Sequence, residues 1–334
     1  MMKRIGAGWL TLFTLSQAAG AEDIRLSLPV ACEIGRTCFI QHYVDHDRSS
    51  GASDYQCGAL TYDGHDGTDF RVPTMAAQKA GVDVLAAADG KVLRIRDGVE
   101  DISVAGPGRQ SVAGTECGNG VVIGHANGCE TQYCHMAKGS LAVKPGDAVK
   151  AGDRIGRIGL SGMTEFPHLH FTVRKDGKVV DPFKPGLPTQ HPCQRSVDVP
   201  SLWAASLPRI HVYQAGTVLN SGFASGPVTM EAIESGEAER DVPNAQAPAL
   251  VAFVRAIGLK GGDVQHLSLI GPDGQVLREN RTEPLDRDKA QYMLFVGLRR
   301  PASGWPAGHY RALYRVERNG QTAFEQAFGM RLGP

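Results

Sequence analysis

Residues 161–173 read SGMTEFPHLHFTV. His168 and His170 stand one residue apart in a run that is otherwise apolar and β-branched. In a strand, residues i and i+2 point to the same face, so two imidazoles would sit side by side. That fills a core poorly and suits chemistry well. The plain alternative is a pair of partly exposed histidines on an edge strand, and the rest of the chain has to decide. The run continues as HLHFTVRKDGKVVDP, which reads as a hairpin around Asp176-Gly177.

Working outward, the same grammar recurs. VDVLAAADGKVLRIRDG reads as a hairpin around Asp89-Gly90, and GVVIGHANGCETQYCHM as one around Asn127-Gly128. DAVKAGDRIGRIG reads as a strand pair with glycine turns. DGVEDISVAGPGRQSVAGTECGNG breaks the rhythm and is expected to be a long surface loop. After the proline-rich DPFKPGLPTQHPCQ, a second β-rich pattern begins. VQHLSLIGPDGQVLREN and the strands around Asn319-Gly320 read as hairpins, and APALVAFVRAIGL as a strand or a short helix. This second part is expected to be a small β-sandwich of immunoglobulin-like type.

The 334 residues favour two domains, and 35 Lys+Arg against 35 Asp+Glu give no net charge. Neutrality argues against nucleic acid or an anionic surface as partner. The N-terminus has a basic pair (Lys3, Arg4), an apolar stretch from Ile5 to Leu15, and Ala19-Gly20-Ala21. That is the pattern of a secretory signal peptide over 1–21, and no later segment is long and apolar enough to span a membrane. The expected order is then an extended lead-in at 22–57, a first domain at 58–185, a linker at 186–194 and a C-terminal domain at 195–334.

All seven cysteines precede residue 194. In an exported chain this reads as disulfides bracing the first domain. Cys32 and Cys38 are able to close a small loop, the other pairings stay open, and the odd count leaves at least one thiol free or paired between chains. No C-x2-C spacing supports a cysteine zinc site.

LTYDGHDGTDFRVP carries His65 and Asp69, both common zinc donors, and its glycines and Val72-Pro73 oppose a helix. ETQYCHM places His135 at the end of a strand. A catalytic zinc needs three protein ligands, an open position and a nearby acid or base. HDGTDF, YCHM and PHLHF, together with VKPGDAVKAGDRIGRIGLSG, resemble the lysostaphin-type, LytM-like zinc metallopeptidases that cut the peptide part of bacterial peptidoglycan. The resemblance covers about residues 58–182, with the motifs in the family's order.

The resemblance implies a mainly β chain: a LytM-like antiparallel β-sheet metallopeptidase domain of the duplicated hybrid motif type, followed by the β-sandwich. It implies one zinc (Zn2+) held by His65, Asp69 and His170, with His168 and His135 as the catalytic pair. It further implies peptidoglycan peptide stems as substrate. The signal-peptide pattern implies export, and neutral charge with no recognisable wall-binding repeat favours the periplasm over a secreted location. Glu165 and Phe166 depart from the small residues usual before PHLHF, and the Asp97–Asn119 loop is longer than a minimal family core. His125 is expected to be structural, and His42 and His46 to be packing or solvated rather than a second metal site. Three other classes compete: a non-catalytic regulator of other wall hydrolases, a general extracellular protease, and a biotinyl- or lipoyl-type carrier that would need a lysine at a tight turn. No candidate ligand follows residue 171, so the C-terminal domain is expected to position the enzyme or dock a partner protein.

Overall fold

The strand-rich grammar is realised in a computed structural model that describes residues 24–186 and 200–333. The expected signal peptide, residues 187–194 of the linker and Cys193 lie outside the described residues. In chain order the first part contains β1 (Phe39–His42), β2 (Thr68–Arg71), α1 (Met75–Ala80), β3 (Asp83–Leu85), β4 (Gly90–Arg96), β5 (Asn119–Gly124), β6 (Cys129–Met136), β7 (Ala148–Val149), β8 (Arg154–Arg157), β9 (His168–Lys175) and β10 (Lys178–Val180). The second contains β11 (Thr217–Ala224), α2 (Met230–Ser235), β12 (Ala249–Leu259), β13 (Val264–Ile270), β14 (Val276–Arg281), β15 (Lys289–Arg299), β16 (Gly308–Arg318) and β17 (Gln321–Leu332). APALVAFVRAIGL is thus a strand. No helix among the described residues is long and apolar enough to cross a membrane.

The first part is an eight-stranded antiparallel sheet in the order β1-β2-β9-β6-β5-β4-β7, with β10 on the free end of β9. β9 is central because it can afford to be covered on both sides: Leu169, Phe171 and Val173 fill the core beneath it with Val121, Ile123 and Tyr133. Burying each such side chain contributes about 1.5–3 kcal/mol. The lead-in is not merely laid on the domain, for β1 extends the sheet through β2. The core also takes Leu202, Trp203 and Ile210 from beyond the linker. The Trp203 ring lies 5.8 Å from Phe171 and 6.1 Å from Phe70.

The second part is a sandwich of a three-stranded sheet, β11-β12-β15, and a four-stranded sheet, β14-β13-β16-β17. Alternation decides which side faces in: Leu267 and Leu269 of β13 and Tyr310, Ala312, Tyr314 and Val316 of β16 meet Leu250, Ala252 and Val254 of β12. Phe39 of β1 packs on Leu219 and Ile257, joining the two parts.

Hairpins at Asn127-Gly128, Asp176-Gly177 and Asn319-Gly320 form as the sequence predicts, all six residues having positive φ. Two pairings are corrected. β3 does not pair with β4 but with β8, in a separate two-stranded sheet, and β7 pairs with β4. The physical reason lies at the dipeptide. A Cβ on Gly90 would stand 2.5 Å from the Gly124 carbonyl oxygen and 2.7 Å from His125 Nδ1. Asp89 spends its carboxylate on Ala151 N and Lys150 Nζ. Asp-Gly here passes the chain between two sheets instead of folding it back.

Candidate metal centre

β2, β9 and β6 lie side by side, and their register brings the chemistry together. Asp69 stands directly opposite His170, which in turn stands opposite Cys134. Just before β2, the chain turns so that His65 Nε2 reaches Asp69 Oδ1 at 3.1 Å and His170 Nδ1 at 3.2 Å. His170 Nδ1 is 2.9 Å from the same carboxylate oxygen. Gly67 leaves room for this: a Cβ there would stand 2.6 Å from His170 Nε2. Two neighbouring strands and the turn before β2 therefore supply one carboxylate oxygen and two imidazole nitrogens converging on one point.

The outer nitrogens of both imidazoles are held. His65 Nδ1 donates to the Tyr43 carbonyl at 2.7 Å, and His170 Nε2 donates to Asp66 at 3.0 Å. Each ring thus turns its other nitrogen inward. Acceptors behind the distal nitrogens fix tautomer and orientation, as they do for metal-bound histidine. Two such imidazoles and a carboxylate are a donor set that suits zinc. His65, Asp69 and His170 offer ligand atoms within 4.8 Å of one another, and so do His135, His168 and His170.

His135 reaches the site through a bulge. Between β5 and β6, Cys134 and His135 together oppose Gly120, and His135 adopts φ 63°. A bulge re-aims a side chain, and a non-glycine residue at positive φ costs on the order of 1–3 kcal/mol. The Cys117–Cys134 disulfide and a 2.8 Å bond from His135 N to the Cys117 carbonyl hold the bulge. The His135 ring lies 4.7 Å from that of His168. Their Nδ1 atoms donate to the carbonyls of Ser161 (2.8 Å) and Phe166 (3.0 Å), which turns each Nε2 toward the site, that of His168 lying 3.4 Å from Asp69 Oδ1.

Electrostatics follow from burial and crowding. Burial, with His168 and His170 alongside, holds His135 well below the ordinary histidine range. Burial alone would raise the Asp69 carboxyl, but the surrounding histidines hold it well below the usual carboxylate range. His170 is lowered by burial and raised more by Asp66 and Asp69, ending at about 9.

Three side chains that the sequence reading did not assign to the site belong to this arrangement. His42, expected to be packing or solvated, is opposite Asp69 in the β1–β2 pair and donates from Nδ1 to Asp69 Oδ2 at 3.0 Å. Asp66, inside HDGTD, is the acceptor for His170. Arg71, opposite His168, lies under Phe166 with its guanidinium 4.1 Å from the ring centre. Arg71 also bonds Gln41, and Glu234 of α2 at 2.8 Å; Glu234 pairs in turn with Arg255. The spacing of HDGTD was the only local signal for any of these. His46 instead bonds Asp181 at 2.7 Å, and His125 bonds the Asp89 carbonyl and Thr131, as a structural residue should. The expected Cys32–Cys38 loop is a disulfide, Cys57 is disulfide-bonded as well, and Cys129 is buried at the start of β6.

The antiparallel sheet thus carries a histidine–aspartate cluster whose donor atoms are close enough together to hold a metal ion. Residues 63–182, about a third of the chain, match the model of Peptidase family M23. Over 124 residues it is 35% identical to the peptidoglycan DD-endopeptidase ShyB of Vibrio cholerae, covering 37% of this chain and 24% of that protein. Over 72 residues it is 43% identical to the DD-carboxypeptidase/endopeptidase Mpg of Neisseria meningitidis, covering 22% of this chain and 16% of that protein. The matched region thus spans a quarter or less of these relatives. Among solved structures, the catalytic domain of lysostaphin from Staphylococcus simulans is 27% identical over 36% of this chain and 76% of that chain, at a TM-score of 0.26.

Proposed function

We propose that this chain is a zinc-dependent endopeptidase that hydrolyses amide bonds in the peptide cross-links of bacterial peptidoglycan. The observation that carries the reading is the convergence of His65 Nε2, His170 Nδ1 and Asp69 Oδ1 on one point, with His135 and His168 beside it. In this reading His65, Asp69 and His170 hold one zinc. When bound there, zinc supplies Lewis-acid polarisation of the amide carbonyl and makes water a competent nucleophile near neutral pH. His168 and His135 are the acid–base pair. Each ring donates from Nδ1 to a backbone carbonyl and turns its Nε2 to the site, so one takes the proton of the attacking water there and delivers it to the leaving amine nitrogen. The other lies beside the oxygen that gains charge and steadies it.

The catalytic unit is 58–185, with 186–194 as linker, and the C-terminal region of 195–334, whose sandwich runs from β11 to β17, is the module that seats the enzyme on the wall or docks a regulatory protein. Disulfides in a chain with a signal-peptide pattern support export, the periplasm being the compartment that holds the substrate. The names of ShyB and Mpg support the substrate class.

The test is digestion of purified sacculi by the zinc-loaded mature protein, read by mass spectrometry of the released muropeptides. Loss of cross-linked species is expected. Unchanged muropeptides from protein that holds one zinc would overturn the proposal and favour the regulatory reading.

A further inference from the structure

A cleft of about 360 Å3 opens between the sheet domain and the sandwich. That is enough for a small polar group. One wall is His42 and Tyr62, the second the tip of the Asp97–Asn119 loop at Arg109, and the third Lys260 and Lys289 of the sandwich. The inner wall adjoins the candidate metal centre. His42 bonds Asp69, and the Tyr62 ring lies 4.5 Å from that of His65 while remaining 50% exposed.

Three cationic side chains of the lining, Arg109, Lys260 and Lys289, face one carboxylate, Asp288. Lys289 is offset by Asp286 at 2.6 Å, and Asp288 accepts from Gly261 N at 2.8 Å. Arg109 and Lys260 have no ion-pair partner among the described residues. The walls are also fixed in place. Gln41 donates to the Ala290 carbonyl, and Arg71 reaches Glu234 and Gln291 across the same junction. The loop that carries Arg109 is tied to the Gly159–Pro167 loop by Val104 N to Thr164 and Ser103 to Glu165. Arg109, Lys260 and Lys289 outnumber Asp288 among the lining side chains, and this excess of positive charge beside an exposed aromatic face suits a carboxylate that arrives with the substrate.

We propose that this cleft is a carboxylate-binding subsite for the peptide substrate, with Arg109 and Lys260 as its anion-binding groups. It rests on the peptidase reading of the adjoining site, and it makes the sandwich a contributor to specificity. The carboxylate belongs either to a C-terminus or to a side chain of the peptide.

The test uses the full-length chain and four versions of one synthetic cross-linked peptide: free acid, C-terminal amide, side-chain amide and fully amidated. Affinity is measured on protein stripped of metal by chelation, and kcat/KM on zinc-loaded protein. The wild type is expected to prefer the free acid over the fully amidated peptide by roughly tenfold. Arg109→Gln and Lys260→Gln should each reduce that ratio about three- to fivefold, and the double variant should bring it near one, as expected of partly exposed charges. The ratio should shrink between low and high salt. The single amides show which carboxylate is bound. Equal handling of acid and amide by the wild type, or an undiminished ratio in the double variant, would overturn the subsite. Arg109 is exposed on a loop, so its variant tests the idea even if Lys260→Gln folds poorly. A peptide that is bound with the acid preference but never cut would sink the peptidase reading and leave the subsite standing; cutting without preference would do the reverse.

Discussion

His42 Nδ1 and Asp69 Oδ2 stand 3.0 Å apart across the β1–β2 pair, while the other oxygen of Asp69 faces His65 and His170. One carboxylate oxygen is therefore held from behind, and only the second is left for a metal. Partners of this kind are worth about 10–100-fold in metal affinity. His42→Phe is expected to weaken zinc binding by that factor while leaving the fold intact. Competition with a chromogenic chelator measures it, and unchanged affinity would remove His42 from the site.

The division between ligands and acid–base pair is tested by five alanine variants. Replacing His65, Asp69 or His170 should abolish stoichiometric zinc. Replacing His135 or His168 should retain it and lower turnover roughly 10²- to 10⁴-fold. Elemental analysis alongside turnover reads both. Full zinc in His170→Ala would break the assignment.

Zinc binding should release a proton. Burial lowers His170, but Asp66 and Asp69 outweigh it and raise the ring to about 9. In the metal-free chain at pH 7 the ring therefore carries a proton, and ligation requires it neutral. Apparent affinity should rise with pH, by up to about tenfold per unit, and level off above pH about 9. Calorimetry in buffers of different ionisation enthalpy should count close to one proton from this group at pH 7 and fewer at pH 10. The same count at both would contradict it.

The Cys117–Cys134 disulfide closes a loop at a sequence separation of 17 and abuts the His135 bulge. Its loss, in the double serine variant, should cost about 3 kcal/mol in the chain-entropy account. Turnover should fall as well, because His135 N bonds the Cys117 carbonyl. Melting and kinetics on one preparation compare the two effects. A stability loss with unchanged turnover would show that the bulge holds itself.

Glu234 lies between two buried guanidinium groups, Arg71 and Arg255. Removing one partner of a buried ion pair costs about 3–5 kcal/mol, since uncompensated charge is left behind. Glu234→Gln should lower the melting temperature by roughly 10 °C. Turnover should drop with zinc retained, because Arg71 seats Phe166 and the Phe166 carbonyl orients His168. A chain ending near Pro192 should fare worse still, losing Trp203 from the first core as well as Glu234. Wild-type turnover in Glu234→Gln would confine the sandwich to positioning and the cleft.

How far the sequence could be read depends on how local each interaction is. Asn127-Gly128 and Asp176-Gly177 announced hairpins because positive φ at two adjacent positions is a property of those residues. Asp89-Gly90 carries the same local signal and misled, because Gly90 is there for a close approach to Gly124 and His125 that belongs to another strand. His65 and Asp69 were legible from spacing and turn chemistry. His42 was not, since its partner is 27 residues away and only the β1–β2 register makes them neighbours.

Short-range patterns determined that this chain would be β-built, that one face would gather histidines and an aspartate, and that cysteines would brace its first part. They do so because strand alternation and turn conformations are encoded within a few residues. Tertiary structure alone decided that a bulge aims His135 inward, that Glu234 pins Arg71 from 163 residues away, and that Lys260 comes to face Arg109 across a cleft. Those depend on register and on packing between distant segments. A one-residue slip of β9 would turn His168 and His170 to the opposite face without changing a single letter of the sequence.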